Sequence, residues 1–297
     1  MSEFTNHKEN RIKKLVELFL LVIKGELSTE MVGEYQPVID LAQPGDVIGV
    51  VDELVQLQIP MPQLKTGVNK ALNLLNKSLQ NFPYQAPEAG SFLHTFIQNN
   101  IQVDQRLKAI RPLLKLINQD ITNEQVRNEL KDRLVDLLKI DLHYQIKENV
   151  LFPVIEKHLS DYRCLQVMWS FHDDIRRNLK ETIQMLDTAN FDLKKFNRLA
   201  GDIFFNIYAI KFREERILFP IVSQMIPEKE LNSLTGESLE IGFPFVQPEK
   251  VVGEVTSETK PSEDVDLKSG HLSAEQIRLL FNHLPVDITY VDENNKV

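Results

Sequence analysis

The feature that most constrains this chain is a short motif that occurs twice. Glu148-x-x-Leu151-Phe152-Pro153 is matched 67 residues later by Glu215-x-x-Leu218-Phe219-Pro220. An earlier pair precedes them, His94-x-x-Ile97-x-x-Asn100 and His172-x-x-Ile175-x-x-Asn178. Internal repetition of this kind reports one structural unit built twice. Each half opens on a histidine in a helix-periodic run and closes on Glu-x-x-Leu-Phe-Pro, so each half reads as a helical hairpin. Two such hairpins can bury their apolar faces only against each other, which gives a four-helix bundle.

The periodicity predicts four long helical stretches, over about 89–117, 122–159, 160–186 and 192–226. Thr122-x-x-Gln125 resembles a capping box that opens the second, and Asp192 suits the N-cap of the fourth. The short loops between them force antiparallel neighbours. Pro153 and Pro220 each remove a backbone donor and are expected to kink their helices or start a new turn. The fold class is all-α: an antiparallel four-helix bundle over 89–235, preceded by a small helical domain over 1–80 and a linker over 81–88.

Four shorter helices are expected in that first domain. Ile12, Leu15, Val16, Phe19, Leu20 and Ile23 are spaced for one helix face, and Gly25 stops the run. Ser28 or Thr29 caps a second helix, which Pro37 ends or kinks. A third runs over 47–57 and a fourth over 64–79, the latter with Val68, Leu72, Leu75 and Leu79 on one face. No catalytic cluster stands out there, so these residues read as a packing or interaction module. After the bundle, Gly242-Phe243-Pro244-Phe245 reads as a short extended piece. Residues 247–270 carry almost nothing to bury and read as a disordered linker. Residues 271–297 read as a short helix followed by a strand over 286–291.

Composition narrows the function. The net charge of −9 argues against general nucleic-acid binding, which needs a basic face. The single cysteine, Cys164, excludes an internal disulfide and a multi-cysteine metal site, and it suits a reducing cytosol. No targeting segment is evident, and the apolar run at 15–23 is too short to span a bilayer.

The bundle residues point to a metal. His94, His143 and His172 lie on three of the helices, among apolar neighbours, and Glu148 and Glu215 immediately precede apolar Val/Ile-Leu-Phe. A buried, unpaired carboxylate costs several kcal/mol unless a cation meets it. Imidazole plus carboxylate suits iron, manganese or zinc. One spacing is awkward: His143 and Glu148 are five apart, and the i+4 position is Lys147, which is no ligand. A π-bulge, a bridging Glu148, or no ligation by Glu148 would each resolve it. Glu214, which aligns with Lys147 across the repeat, is the alternative to Glu215. His158 reads as a helix-end histidine, and Asp173 and Asp174 read as a solvated face.

These residues resemble the hemerythrin-like, or HHE cation-binding, family over roughly 89–226. The motifs are His94-Thr-Phe, His143-x-x-x-Lys-Glu148-Asn-x-Leu-Phe-Pro, Phe171-His172-Asp-Asp-Ile-Arg176 and Arg213-Glu-Glu215-Arg-Ile-Leu-Phe-Pro. The first 80 residues look like the helical domain that often precedes such a bundle, and 284–294 look like the opening strand of a PAS sensor domain. The arrangement is similar to bacterial hemerythrin/PAS sensors. The resemblance implies metal ligation by His94, His143, Glu148, His172 and Glu215. Two further histidines of the full di-iron pattern are replaced by Arg176 and Ile210, and a buried Arg would repel a second cation. Tyr144 and Tyr208 are additional oxygen donors.

The leading expectation is therefore a cytoplasmic non-haem iron protein, with one or two ions, that senses or binds O2, NO or redox state and signals to flanking domains. Its expected partners are a small gaseous ligand and a signalling partner or second copy, with neither nucleic acid nor membrane. The alternatives are a haem protein using the bundle histidines, a di-iron stress-repair enzyme, and a metal-free interaction scaffold. Catalysis is the less favoured of these.

Overall fold

A computed structural model of the chain describes residues 2–188, 191–248, 265–266 and 271–272. Nearly all of the expected 247–270 linker and the 271–297 PAS-like opening lie outside the described residues. Within that stretch an antiparallel two-strand pair is described, β1 (Val265–Asp266) with β2 (His271–Leu272), in which Val265 faces Leu272.

Four helices open the chain: α1 (Ser2–Lys24), α2 (Thr29–Asp40), α3 (Pro44–Gln56) and α4 (Met61–Gln80). The periodic positions are the buried ones: Ile12, Leu15, Leu18 and Phe19 on α1, and Val68, Leu72, Leu75 and Leu79 on α4. Ser28 caps α2 by accepting from the Met31 N–H. Pro37 does not end α2, which continues through it to Asp40. The carbonyl that Pro37 leaves without a donor belongs to the exposed Gly33, where water can satisfy it.

The bundle follows. Its first helix is α5 (Phe92–Gln119). The second stretch is α6 (Glu124–Leu138), α7 (Ile140–Ile146), a π turn (Lys147–Leu151) and α8 (Phe152–His158). The third is α9 (Cys164–Met185). The fourth is α10 (Leu193–Arg213), a second π turn (Glu214–Leu218) and α11 (Phe219–Met225). Helix α5 packs on α6, α6 on α9, α9 on α10 and α10 on α5, which closes the ring of four. Asp192 caps α10 as expected, accepting from the Lys195 N–H.

Two boundaries differ from the sequence reading. Asn123, not Thr122, caps α6: its side-chain oxygen accepts from the Val126 N–H, while Thr122 closes the preceding turn by donating its N–H and hydroxyl to Asp120. The third stretch becomes helical at Cys164 rather than at 160. Residues 236–241 are helical within α13 (Thr235–Ile241), which follows α12 (Glu228–Ser233). Gly242, at φ +90°, then ends α13. Beyond it Phe243 packs on Phe96, and Asn99 pairs like a strand neighbour with the backbone of Phe245 and Val246.

The π turns occupy matched positions in the two halves. Phe152 N–H reaches Lys147 O, and Phe219 N–H reaches Glu214 O. Pro153 and Pro220 sit at the start of the α-helical turns that follow, consistent with the expected local shape change. Each proline deprives a carbonyl four residues back, and those belong to Asn149 and Arg216, both exposed.

The expected linker over 81–88 is coil, but it does not separate two independent bodies. The described residues up to 248 form one compact unit. Helices α3 and α4 pack on α9 and on the second π turn. Asp52 of α3 accepts from the Arg163 N–H at 2.8 Å and from its guanidinium at 3.0 Å, so a carboxylate on α3 caps the start of α9. Lys65 of α4 pairs with Asp174 of α9.

Candidate functional site

The two π turns place their first residues, Lys147 and Glu214, in the bundle core. These are the aligned residues of the two half-repeats. Both are fully buried, and their side chains form an ion pair. The Lys147 ammonium also lies 3.1 Å from His172 Nε2 and 4.5 Å from the centre of the Tyr144 ring. The structure thus puts a protein cation at the point where the inward-facing groups of three helical stretches converge.

The surrounding hydrogen bonds fix the roles of the imidazoles. His172 Nδ1 is 2.6 Å from Glu148 Oε1, and the other Glu148 oxygen accepts from Arg176 Nη2 at 2.7 Å. Because a carboxylate can only accept, Nδ1 carries the proton and Nε2 is free to accept from Lys147. Burial, followed by the Lys147 and Arg176 charges, holds the His172 pKa well below its usual value. His172 is therefore neutral. Its ring stacks on Tyr144 with centroids 4.1 Å apart.

His143 is on the other side of Glu214. Its Nε2 is 3.4 Å from Glu214 Oε2, its ring meets Phe96 edge-on, and its Nδ1 is buried without a partner. Burial and Lys147 depress its pKa, against the pull of Glu214. Asn100 donates to Glu214 at 2.9 Å and to Glu215 at 3.2 Å. Burial alone would raise the Glu214 carboxyl. Lys147, then His143, outweigh it and hold the group at about 2. Lys147 is lowered by its own burial, opposed chiefly by Glu214.

The sequence-predicted residues are therefore divided. His143, Glu148 and His172 come together in the core. His94 does not join them: at the start of α5 its Nδ1 accepts from the Gly90 N–H at 3.1 Å, and its Nε2 is 2.8 Å from the Gln98 carboxamide. Glu215 lies at the margin, a quarter exposed, held by Asn100 and 3.9 Å from Lys211, while burial raises its pKa. The inward carboxylate of the second half is Glu214, because the π turn directs its first residue, not its second, into the core. The five-residue spacing of His143 and Glu148 is not closed onto one point: His143 faces Glu214, and Glu148 faces His172 and Arg176.

Sequence reasoning set Lys147 aside as no ligand. Its alignment with Glu214 across the repeat was the signal that the two would meet. Arg176, at an expected histidine position, is held by Glu148, Asp141 and Asp173. Ile210, at the other, is buried among apolar neighbours.

These residues do not fit a metal centre as they are arranged. Both Glu148 oxygens, both Glu214 oxygens, both His172 nitrogens and His143 Nε2 are engaged by protein groups, which leaves His143 Nδ1 and the Tyr144 hydroxyl as the bare atoms of the cluster. Among the described residues no group of three or more His, Cys, Asp or Glu is placed to hold an ion. A divalent ion about 4 Å from the ammonium would meet roughly 8 kcal/mol of repulsion at an effective dielectric of about 20.

Residues 95–222 match the sequence model of a family described as Hemerythrin HHE cation binding domain. Residues 95–222 are thus similar to a hemerythrin HHE domain and form a helical bundle, and the family description names a bound cation. The matched stretch begins one residue after His94 and includes every residue of the charge cluster. No curated protein matches the chain. Among the described residues no helix is long and apolar enough to cross a membrane.

Proposed function

We propose that this bundle is a hemerythrin-fold module with a built-in cation: the Lys147 ammonium takes the position that a metal ion would otherwise neutralise. It works as a binding or signalling component rather than as an iron oxidant. The observation that carries this reading is the fully buried Lys147–Glu214 pair, formed between the aligned residues of the two half-repeats. Buried carboxylates and imidazoles need a positive partner or a proton. Lys147 and Arg176 supply that charge without a ligand. Helices α3 and α4 of the N-terminal four pack on α9 and the second π turn, so a change in the cluster has a direct mechanical neighbour.

The second reading is non-haem iron with sensing of O2, NO or redox state, passed to flanking domains. The family match favours it, and His143 Nδ1 is a bare donor atom. It requires Lys147 to leave the core. Anaerobic titration with ferrous iron, followed by metal analysis of the desalted protein, separates the two. On the built-in cation reading the wild type retains no stoichiometric iron. Lys147→Glu, which sets a carboxylate four residues after His143 on the same helix face, gains it. Stoichiometric iron in the wild type, lost in His172→Ala, would support the iron reading instead. A sharp band near 400 nm on adding haem would assign the histidines to haem.

A further inference from the structure

Arg213 is the last residue of α10 and is almost fully buried, yet it has no acidic partner among the described residues. Its guanidinium donates to Asn69 Oδ1 on α4 and to Ala209 O at 2.9 Å, and it lies over the Phe171 ring with its central carbon 4.8 Å from the centroid. Those two bonds use two of its five N–H groups. A buried, uncompensated charge is expensive. The other buried cations among the described residues meet carboxylates: Lys147 meets Glu214, Lys65 meets Asp174 and Arg127 meets Glu124.

Arg213 lines a cleft of about 210 Å³ between α4 and α10, and none of the residues lining it is acidic. Asn69, Asn73 and Asn76 run along α4 at i, i+4 and i+7, so they present one polar stripe to the cleft. Asn69 Oδ1 is taken by Arg213, which leaves its amide N–H groups to face a ligand. Tyr208 stands at the α10 side, with Arg111 donating to its hydroxyl at 3.2 Å. Phe205 and Phe212 supply apolar wall. The cleft borders a larger groove of about 930 Å³ that shares Asn69, Asn73 and Phe205. The lining of that groove mixes Lys65, Lys70, Arg177 and Arg198 with Asp174, Glu181 and Asp202, and Lys65 and Arg177 pair with Asp174, whereas the cleft at the Arg213 end has no acidic side chain to meet its cation.

We infer that this cleft binds a small organic carboxylate, with its carboxylate on Arg213 and the Asn69 amide and its apolar body against Phe205 and Phe212. A planar, forked guanidinium matches a carboxylate with two parallel hydrogen bonds. The mixed polar and aromatic lining suits a ligand with one charged end and one apolar end. The inference does not depend on what occupies the bundle core, because Arg213 takes no part in the Lys147 cluster.

The experiment is isothermal titration of the whole chain with benzoate as probe, beside neutral benzamide and inorganic phosphate. Saturable binding of benzoate is expected, with no binding of benzamide and weaker binding of phosphate. Arg213→Lys should weaken benzoate binding about tenfold or more, the effect of losing a charge-assisted pair. Since a buried residue is altered there, Asn73→Asp is the second variant. It changes an exposed position, adds a negative charge at the cleft and should abolish binding while leaving the circular dichroism spectrum unchanged. No binding of benzoate to the wild type would overturn the proposal. So would benzamide binding as well as benzoate, phosphate binding more tightly than benzoate, or Asn73→Asp binding benzoate as well as the wild type.

Discussion

Replacing Lys147 with methionine keeps most of the side-chain volume and removes the charge, so it isolates what the ammonium does. Glu214 would then be a fully buried carboxylate with only Asn100 and His143 as partners. The present arrangement holds its carboxyl at about 2 instead of the ordinary 4.5, a difference of about 3 kcal/mol at ~1.4 kcal/mol per pH unit. Breaking a buried pair by removing one partner costs about 3–5 kcal/mol in general, which is the same size. For a unit of this length each kcal/mol moves Tm by ~2–4 °C, so a fall of about 6–12 °C is expected at neutral pH. A thermal melt at pH 7 measures the fall in Tm, and urea unfolding at the same pH the free-energy loss. Glu214→Gln in the Lys147→Met background should restore part of the loss, because no unpaired charge remains. The single variant should also lose less at pH 4 than at pH 7, since Glu214 can then be neutralised by a proton. A Lys147→Met protein as stable as the wild type, or a double variant whose cost is the plain sum of the two single costs, would refute the reasoning.

Further expectations concern acid, the clamp between the two helical halves, and a tight crossing. His143 and His172 are held below their ordinary value of 6.5 by burial, so the unfolded chain binds their protons first. The stability they contribute is complete above about pH 6.5 and falls as pH drops below it. The Glu214 contribution is complete above 4.5 and is lost between 4.5 and about 2. Glu148 and Glu215, raised by burial, act in the opposite direction near their own titration. Thermal melts from pH 8 to pH 3 should therefore show a first loss near pH 6, diminished in His172→Gln. Asp52→Asn removes the carboxylate that caps α9 and binds the Arg163 guanidinium; a loss of about 1–2 kcal/mol in urea is expected, with earlier proteolysis in the 81–88 coil. Gly67 on α4 faces Ile23 of α1, and an added Cβ would lie 3.1 Å from the Ile23 Cα and closer still to its side chain. Gly67→Ala should cost about 1–3 kcal/mol by forcing the helices apart, visible as a lower urea midpoint.

The helices were legible because their signals are local. The 3.6-residue spacing on α1 and α4, the Asp192 cap and the repeated Leu-Phe-Pro are each contained within a few turns, and the structure uses them as read. The departures at Thr122 and Pro37 are also local: Asp120 draws Thr122 into the turn before α6, which leaves Asn123 to cap it, and solvent can satisfy the carbonyl facing Pro37, so α2 does not end there. The core was harder to read. A five-residue gap between His143 and Glu148 signals a departure from α-helix, and the π turn is there, but the gap does not say which residue the turn directs inward. That depends on the partner across the bundle. Lys147 and Glu214 neutralise each other at a distance of 67 positions in sequence, and only the repeat alignment hinted at it. His94 looked like a core ligand from its apolar neighbours, yet a glycine N–H and a glutamine one turn on had first access to its ring.

The most direct test of the built-in cation is a crystal structure grown anaerobically in excess ferrous iron, with diffraction recorded on both sides of the iron edge. The account predicts no anomalous peak in the bundle core, with Lys147 Nζ in hydrogen-bonding contact with Glu214 and His172 Nε2. An iron peak bounded by His143, His172 and Glu214, with the Lys147 side chain turned out of the core, would contradict it.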